Sequence, residues 1–151
     1  MITYQVERWQ DAHEEMAKLW VLHWEEIAHE RDKIPLEVNY REYNALAEIG
    51  VVHLLVAREH GAMVGYHLSM VKGHLHYASL LSAFVDVYFM LPKYRLGFAG
   101  IKLFREAEKS LRARGVRKIF TGTKISKDMS IIFKRLGYKH VENLLTKYIG
   151  D

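Results

Sequence analysis

The chain has 151 residues, half of them hydrophobic, a net charge of +4 and no cysteine. That length suits one domain with a sizeable core, and the apolar share excludes global disorder. With no cysteine there is no disulfide, thiolate nucleophile or thiolate-bound metal, and with no long apolar run there is no transmembrane helix.

The N-terminal Met-Ile-Thr-Tyr-Gln-Val-Glu has no basic region followed by an apolar stretch, so the expectation is a cytoplasmic protein. Residues 2–9 read as a first strand. Asp11 with Glu14 has the form of a capping box, and Met16, Leu19, Trp20, Leu22, His23 and Ile27 follow at helical spacing, which predicts a helix over 11–31. Pro35 ends any continuation. A shorter helix is predicted over 40–49, closed by Gly50. Val51 to Arg58 reads as a buried strand, and His60-Gly61 turns it into a hairpin partner over 62–70.

Residues 73–80 read as a polar and aromatic loop, and 81–91 as another strand. The next helix, 98–114, places Ile101, Leu103, Phe104, Ala107 and Leu111 inward and Lys102, Arg105, Lys109, Arg112 and Arg114 outward. Gly115 closes it, and 116–122 is a further strand. A short helix covers 128–136 up to Gly137, and strands are expected at 138–142 and 144–149. No repeat or linker divides the chain. The expected fold class is α/β (α+β), a single mixed α/β layer structure forming one domain over 1–151.

Charge is unevenly spread. Residues 1–92 carry seven Lys/Arg against thirteen Asp/Glu, whereas residues 93–139 carry fourteen Lys/Arg against three acids. A basic half attracts either nucleic acid or one polyanionic small molecule.

The run Leu91-Pro92-Lys93-Tyr94-Arg95-Leu96-Gly97-Phe98-Ala99-Gly100 joins the 81–91 strand to the 98–114 helix. A glycine-containing turn bearing arginine, at the start of a helix with outward N–H groups, suits a phosphate-bearing ligand. It is neither a nucleotide-kinase P-loop, which needs a Gly-Lys-Ser/Thr ending, nor the dinucleotide-binding Gly-x-Gly-x-x-Gly.

With the later Phe133-Lys134-Arg135-Leu136-Gly137-Tyr138, this order of elements resembles the GNAT (Gcn5-related) N-acetyltransferases. The resemblance implies a mixed, mostly antiparallel twisted sheet with helices on both faces, an acyl-CoA N-acyltransferase-like fold. Its fourth strand splays from the fifth to admit acetyl-CoA. The family's diphosphate loop starts on Arg or Gln and ends on Gly or Ala; Arg95 and Gly100 match these ends, while Phe98 stands at the middle glycine. The implied cofactor-binding residues are Tyr88, Phe89, Met90 and Leu91 along the strand end, and Arg95, Leu96, Gly97, Phe98, Ala99 and Gly100 in the loop. Ser126 and Phe133 complete them. Phe133 replaces a tyrosine that often protonates the leaving thiolate, which leaves water, unaided loss of the thiolate, or another donor, with Tyr138, Tyr94 and Tyr88 nearby in sequence.

Asp86, a lone carboxylate between Val85 and Val87, is the expected catalytic base. His74, His76 and Tyr77 read as an acceptor-site wall, His53 as a packed strand histidine, and no metal site is expected. Ser126 reads foremost as a cap of the short helix, and Thr121 and Thr123 as satisfying backbone groups. The implied activity is direct transfer of an acetyl group from acetyl-CoA to a primary amine of a small-molecule or protein acceptor. The acidic first half favours a cationic one. A homodimer is possible in this family, and no membrane contact is expected. The alternatives are a GNAT-fold acyl-CoA-binding protein with little turnover, and a basic nucleic-acid-binding module, which lacks a stacking array on the 102–118 face.

Overall fold

The computed structural model describes residues 1–151. In chain order the elements are β1 (Ile2–Glu7), α1 (Trp9–Ile27), α2 (Tyr40–Glu48), β2 (Val52–Glu59), β3 (Ala62–His74) and β4 (Tyr77–Met90). A 3₁₀ turn (Pro92–Tyr94), α3 (Ala99–Ala113), β5 (Lys118–Phe120) and α4 (Ser130–Arg135) follow. The strands form one sheet in the order β1-β2-β3-β4-β5. The first three pairings are antiparallel and β4–β5 is parallel. This is the mixed, mostly antiparallel sheet that the family resemblance implies.

Strand alternation sends side chains to two separate cores. On one face Trp9, Ala12, Met16, Leu19 and Trp20 of α1 pack on Leu54, Val56, Met63, Tyr66, Leu68 and Phe89. On the other, Leu103 and Ala107 of α3 pack on Leu55, Ala57, Val64 and Met90. A smaller cluster of Val71, Ala83, Leu111 and Val116 continues this second layer. Each fully buried large side chain contributes roughly 1.5–3 kcal/mol. Arg58 staples the near edge, gripping Glu7 of β1 at 2.6 and 2.8 Å and Glu15 of α1 at 2.7 Å.

Four sequence expectations are corrected. First, α1 spans Trp9–Ile27 rather than 11–31; Arg8 is its N-cap residue, with no side-chain cap, so Asp11 lies inside the first turn. The helix stops where Ala28 turns extended and Glu30 takes a left-handed φ of 52°. Second, most of 73–80 is strand, because β3 and β4 stay paired down to His74↔Tyr77. Third, Ser126 caps nothing: α4 begins at Ser130, where the Asp128 carboxylate accepts from the Ser130 N–H at 2.9 Å. Fourth, residues 138–151 form no strand. Their apolar side chains Val141, Leu144, Leu145 and Ile149 stand in solvent, and three-residue β5 offers too short an edge to hold them.

Gly65 sets the seam between β3 and the end of β4. A Cβ there would lie 2.8 Å from the Phe89 carbonyl oxygen, a backbone atom that cannot swing aside. Gly65→Ala is therefore expected to lower stability by about 1–3 kcal/mol in urea denaturation, and an unchanged midpoint would show that the seam is slack.

Candidate active site

The parallel pairing of β5 with β4 covers only Ser82↔Lys118, Ala83↔Ile119 and Phe84↔Phe120. Beyond Phe84, β4 runs on to Met90 with no partner on that side. The strands diverge into a V whose last rung is the near-parallel Phe84–Phe120 ring pair, with centroids 4.9 Å apart. The β3–β4 turn brings His74 within 6.0 Å of Phe84 and 5.7 Å of Phe120, so the His74–Tyr77 cluster borders the base of the V.

Asp86 lies just past that rung. Its neighbours pair normally, Val85 with Ser69 and Val87 with Leu68, so Asp86 is the extra residue of a β-bulge. A bulge re-aims a side chain, and here the exposed carboxylate meets α2, accepting the Tyr43 hydroxyl hydrogen on Oδ2. Burial first, then the hydrogen bond to Asp86, raises the Tyr43 phenol far above its ordinary range. Tyr43 is itself fixed by stacking on Trp9 at 4.6 Å.

The expected strand-end residues divide by direction. Leu91 N–H donates to the Val64 carbonyl at 2.9 Å, which fixes the ladder alternation. Phe89 and Leu91 thereby direct their backbone groups to β3, while those of Tyr88 and Met90 point into the V. The Met90 carbonyl accepts from Arg95 Nε at 2.7 Å. The Tyr88 hydroxyl crosses the gap and donates to the Gly122 carbonyl at 2.9 Å. Close by, the hydroxyl of Thr121 is buried without any partner.

In the loop, Gly97 takes the left-handed conformation, φ 76°, one position before the expected middle glycine. Phe98 needs no such freedom, and its side chain stands 80% exposed, as does that of Leu96 at 85%, so neither closes the loop. The first helical bond runs from Lys102 N–H to the Phe98 carbonyl. The N–H groups of Ala99, Gly100 and Ile101 therefore lack helical partners. No side chain caps this end and no acid sits in the first turn, so its positive partial charge is uncompensated. A Cβ on Gly100 would meet nothing within 4 Å.

Arg95 does not face outward with these amides. Its guanidinium forms a fork with Glu26 of α1, at 2.5 and 2.6 Å, above the Phe89 ring. Lys127 Nζ reaches the same carboxylate at 2.9 Å. The hydrogen bond from Arg95 is the main cause that holds Glu26 down to about 2. One turn back on α1, His23 stacks on Phe89 and shares a 2.8 Å hydrogen bond with the Tyr66 hydroxyl. Burial lowers His23 to about 4, with Arg95 and Lys124 adding to the effect and Glu26 opposing it.

Phe133 is 5% exposed and is the hub of an aromatic cluster with Tyr88, Phe104 and Tyr138 at 5.7, 5.1 and 5.3 Å. Phe133, expected to touch the cofactor, is thus buried in this cluster against the ring of Tyr88. Burial, then Glu108, raises the Tyr138 phenol to about 12, and the Tyr94 ring lies under Lys93 Nζ at 4.6 Å. Ser126 lies in the turn between Lys124 and Lys127, exposed on the far arm. The basic outer side of α3 is a solvated face, where Arg105, Lys109, Arg112 and Arg135 border a groove of about 370 Å³ against α4. The sequence reading missed Glu26, Lys127 and Tyr43. Glu26 repeats the inward position of His23 three residues on, which was a visible signal; the other two meet their partners only through the fold.

A sheet with this divergence, bulge and open helix start defines the class of the molecule: it has the GNAT acetyltransferase fold. No protein-family model and no curated protein matches the sequence. Solved structures do. An aminoglycoside acetyltransferase from an uncultured soil metagenomic sample superposes with a TM-score of 0.75 at 15% identity, covering 99% of each chain. A ribosomal-protein-alanine N-acetyltransferase from Brucella melitensis biovar Abortus 2308 gives 0.72 at 16% identity, over 99% of this chain and 100% of the other. A predicted acetyltransferase from Clostridium acetobutylicum, solved with acetyl-CoA, gives 0.72 at 11% identity, over 98% and 96%.

Three buried imidazoles have a measurable consequence. His23 and His53 are lowered to about 4 and His67 to about 3, in each case chiefly by burial. The unfolded chain binds these protons near pH 6.5 and the folded chain does not, so stability falls as pH drops from about 6.5 toward 4. Urea midpoints measured across that window should decline steadily, and His67→Asn should flatten the decline. A wild-type midpoint that stays level through the window would refute the neutral assignment.

Proposed function

We propose that this chain is an acetyl-CoA-dependent N-acetyltransferase acting on a primary amine of a cationic acceptor in the cytoplasm. The observation that carries the reading is the end of β4–β5 pairing at Phe84–Phe120, with an uncompensated helix start at the top of the diverging strand. The residues present suit acetyl-CoA. Tyr88 and Met90 backbone groups and the orphaned Thr121 hydroxyl answer the amides of a pantetheine arm. The amides of residues 99–101 and the Gly97 turn answer a diphosphate.

Acetyl-CoA supplies the activated acyl group. Asp86, in reach of the open cleft, accepts the proton of the incoming ammonium directly or through water, with Tyr43 fixing its orientation. With acetyl-CoA bound, the V would hold its thioester beside the amine that Asp86 has deprotonated, ready for direct transfer. Tyr88, whose phenol spans the V and is kept protonated by burial, would give its proton to the leaving sulfur and regain one, through water, from the nitrogen as it becomes an amide. Tyr88 thus fills the role left open by Phe133, the ring against which it packs. The acidic α1–α2 side, with Glu26, Glu42 and Asp86, favours a cationic acceptor.

The direct test is calorimetric titration with acetyl-CoA, followed by thiol release with a panel of polyamine, aminosugar and lysine-peptide acceptors. Saturable binding to wild type, lost in Gly100→Trp, is expected; a folded wild type that ignores acetyl-CoA overturns the reading. With an accepted amine, Asp86→Asn should lower kcat by about 10²–10³-fold while leaving acetyl-CoA affinity unchanged. Tyr88→Phe should lower kcat roughly tenfold, and adding Phe133→Tyr should recover part of it by returning a phenol to the same aromatic cluster. A Tyr88→Phe variant that keeps full kcat removes Tyr88 from the proton-donor role.

A further inference from the structure

Below Asp86 the α1 face of the sheet carries a second set of charged groups. Val71, Ala83 and Ile119 pack under α3 with Leu111, so the alternating residues Lys72, Ser82, Phe84, Lys118 and Phe120 stand on the opposite face. Register pairs Ser82 with Lys72 of β3 on one side and with Lys118 of β5 on the other. Two lysines thus flank one serine in a single row across the sheet. Their ammonium groups lean over the next row, Lys72 Nζ 5.3 Å from the centre of the Phe84 ring and Lys118 Nζ 5.0 Å from that of Phe120.

Two observations set this row apart from ordinary solvated lysines. Neither ammonium is paired with a carboxylate, whereas Arg58, Arg95, Arg112 and Lys127 each are. Between them the side chain of Ser82 is fully buried, and its hydroxyl has no hydrogen-bond partner. A buried hydroxyl left unpaired is a cost to the fold, one that an anionic oxygen seated between the two lysines removes. Along β4, Ser82, Phe84 and Asp86 follow at alternate positions, and the Tyr43 contact holds Asp86 on this same face. The carboxylate therefore stands two residues, roughly 7 Å at strand rise, beyond the rings that the ammonium groups cover. A ligand lying along this strip meets a negative end, an apolar middle and a positive end.

We propose that Lys72, Lys118 and Ser82 form a seat for an anionic group of the amine acceptor, so that the acceptor is a zwitterion with its primary amine at Asp86 and a carboxylate or phosphate roughly 7–10 Å away. This rests on the acetyl-transfer reading given above and narrows its acceptor. The cation that the α1–α2 carboxylates attract is the ammonium itself, and the segment between the two charges lies on the Phe84–Phe120 rings. Seating the anion draws both ammonium groups off the rings onto its oxygens, and the Ser82 hydroxyl donates to it from between them. With both ends of the acceptor held, the nitrogen is oriented at the opening of the V. An amino acid reacting at its α-amine is too short to span the strip; an ω-amino acid or an amine with a terminal phosphate reaches both ends.

The test titrates ε-aminohexanoate, aminobutyl phosphate and the uncharged-tail ε-aminohexanamide calorimetrically into wild type, a Lys72→Met, Lys118→Met double variant and Ser82→Ala. Thiol release from acetyl-CoA is measured with the same three amines. Wild type should bind at least one anionic amine roughly tenfold more tightly than the amide, and the two anions separate a carboxylate from a phosphate handle. Both lysines are exposed, so the double variant keeps its core, and it should bring the anionic amines down to the level of the amide. Ser82→Ala should lose part of the preference with no fall in urea midpoint, because its hydroxyl has no partner to lose. Wild type that binds no anionic amine better than the amide, or a preference that survives removal of both lysines, overturns the proposal. Thiol release absent with every amine, while the binding preference holds, is a different outcome: it strikes the acetyl-transfer reading and leaves the anion seat in place.

Discussion

The structure turns on where β5 lets go of β4. Pairing for three residues anchors the far arm to the sheet, and its end at Phe120 commits the chain to diverge. Had β5 continued, the backbone groups of Tyr88 and Met90 would be spent on a ladder. The short pairing has a local cause: α3 ends in left-handed Gly115, Val116 is buried under it, and Arg117 N–H bonds back to the Leu81 carbonyl at 2.9 Å. β5 is thus set in register at its start and left unsupported at its end. The aromatic cluster around Phe133 fills the space behind the opening, so the divergence does not leave a void in the second core.

Charge follows a complementary logic. Ionised groups at the mouth of the V are paired across elements, Glu26 with Arg95 and Lys127, whereas titratable groups within the layers are kept neutral. His53 shares a 2.9 Å hydrogen bond with Ser110 and His67 meets the edge of Phe104 at 5.8 Å, so both behave as polar packing residues under α3. The two faces of the sheet are correspondingly unlike. Both faces carry aromatic and imidazole rings, and the α1 face adds the carboxylates that look toward the opening.

Much of the architecture was legible in the sequence because its signals are local. Inward spacing in α3, glycines closing α2, α3 and α4, and the His60-Gly61 turn each act within a few residues, and each appears where its pattern placed it. The Arg95–Gly100 run located the loop correctly but not the direction of its arginine, because that depends on Glu26, sixty-nine positions away. The 73–80 segment misled because Gly73, His74 and His76 look like turn residues, whereas cross-strand partners hold the flanks extended. The 138–149 segment misled in the opposite sense. Its β-forming residues satisfy every local requirement for a strand, but a strand also needs an edge long enough to receive it.

The bulge at Asp86 has a bearing on how such a molecule changes over time. Ladder pairs resume on both sides of this residue, so position 86 has no part in holding the sheet together. Asp86, the proposed base, thus stands on a backbone position that the ladder does not use. Selection can therefore exchange the group at 86 without renegotiating the scaffold, and new chemistry can be tried there while the rest of the strand stays under unchanged constraint.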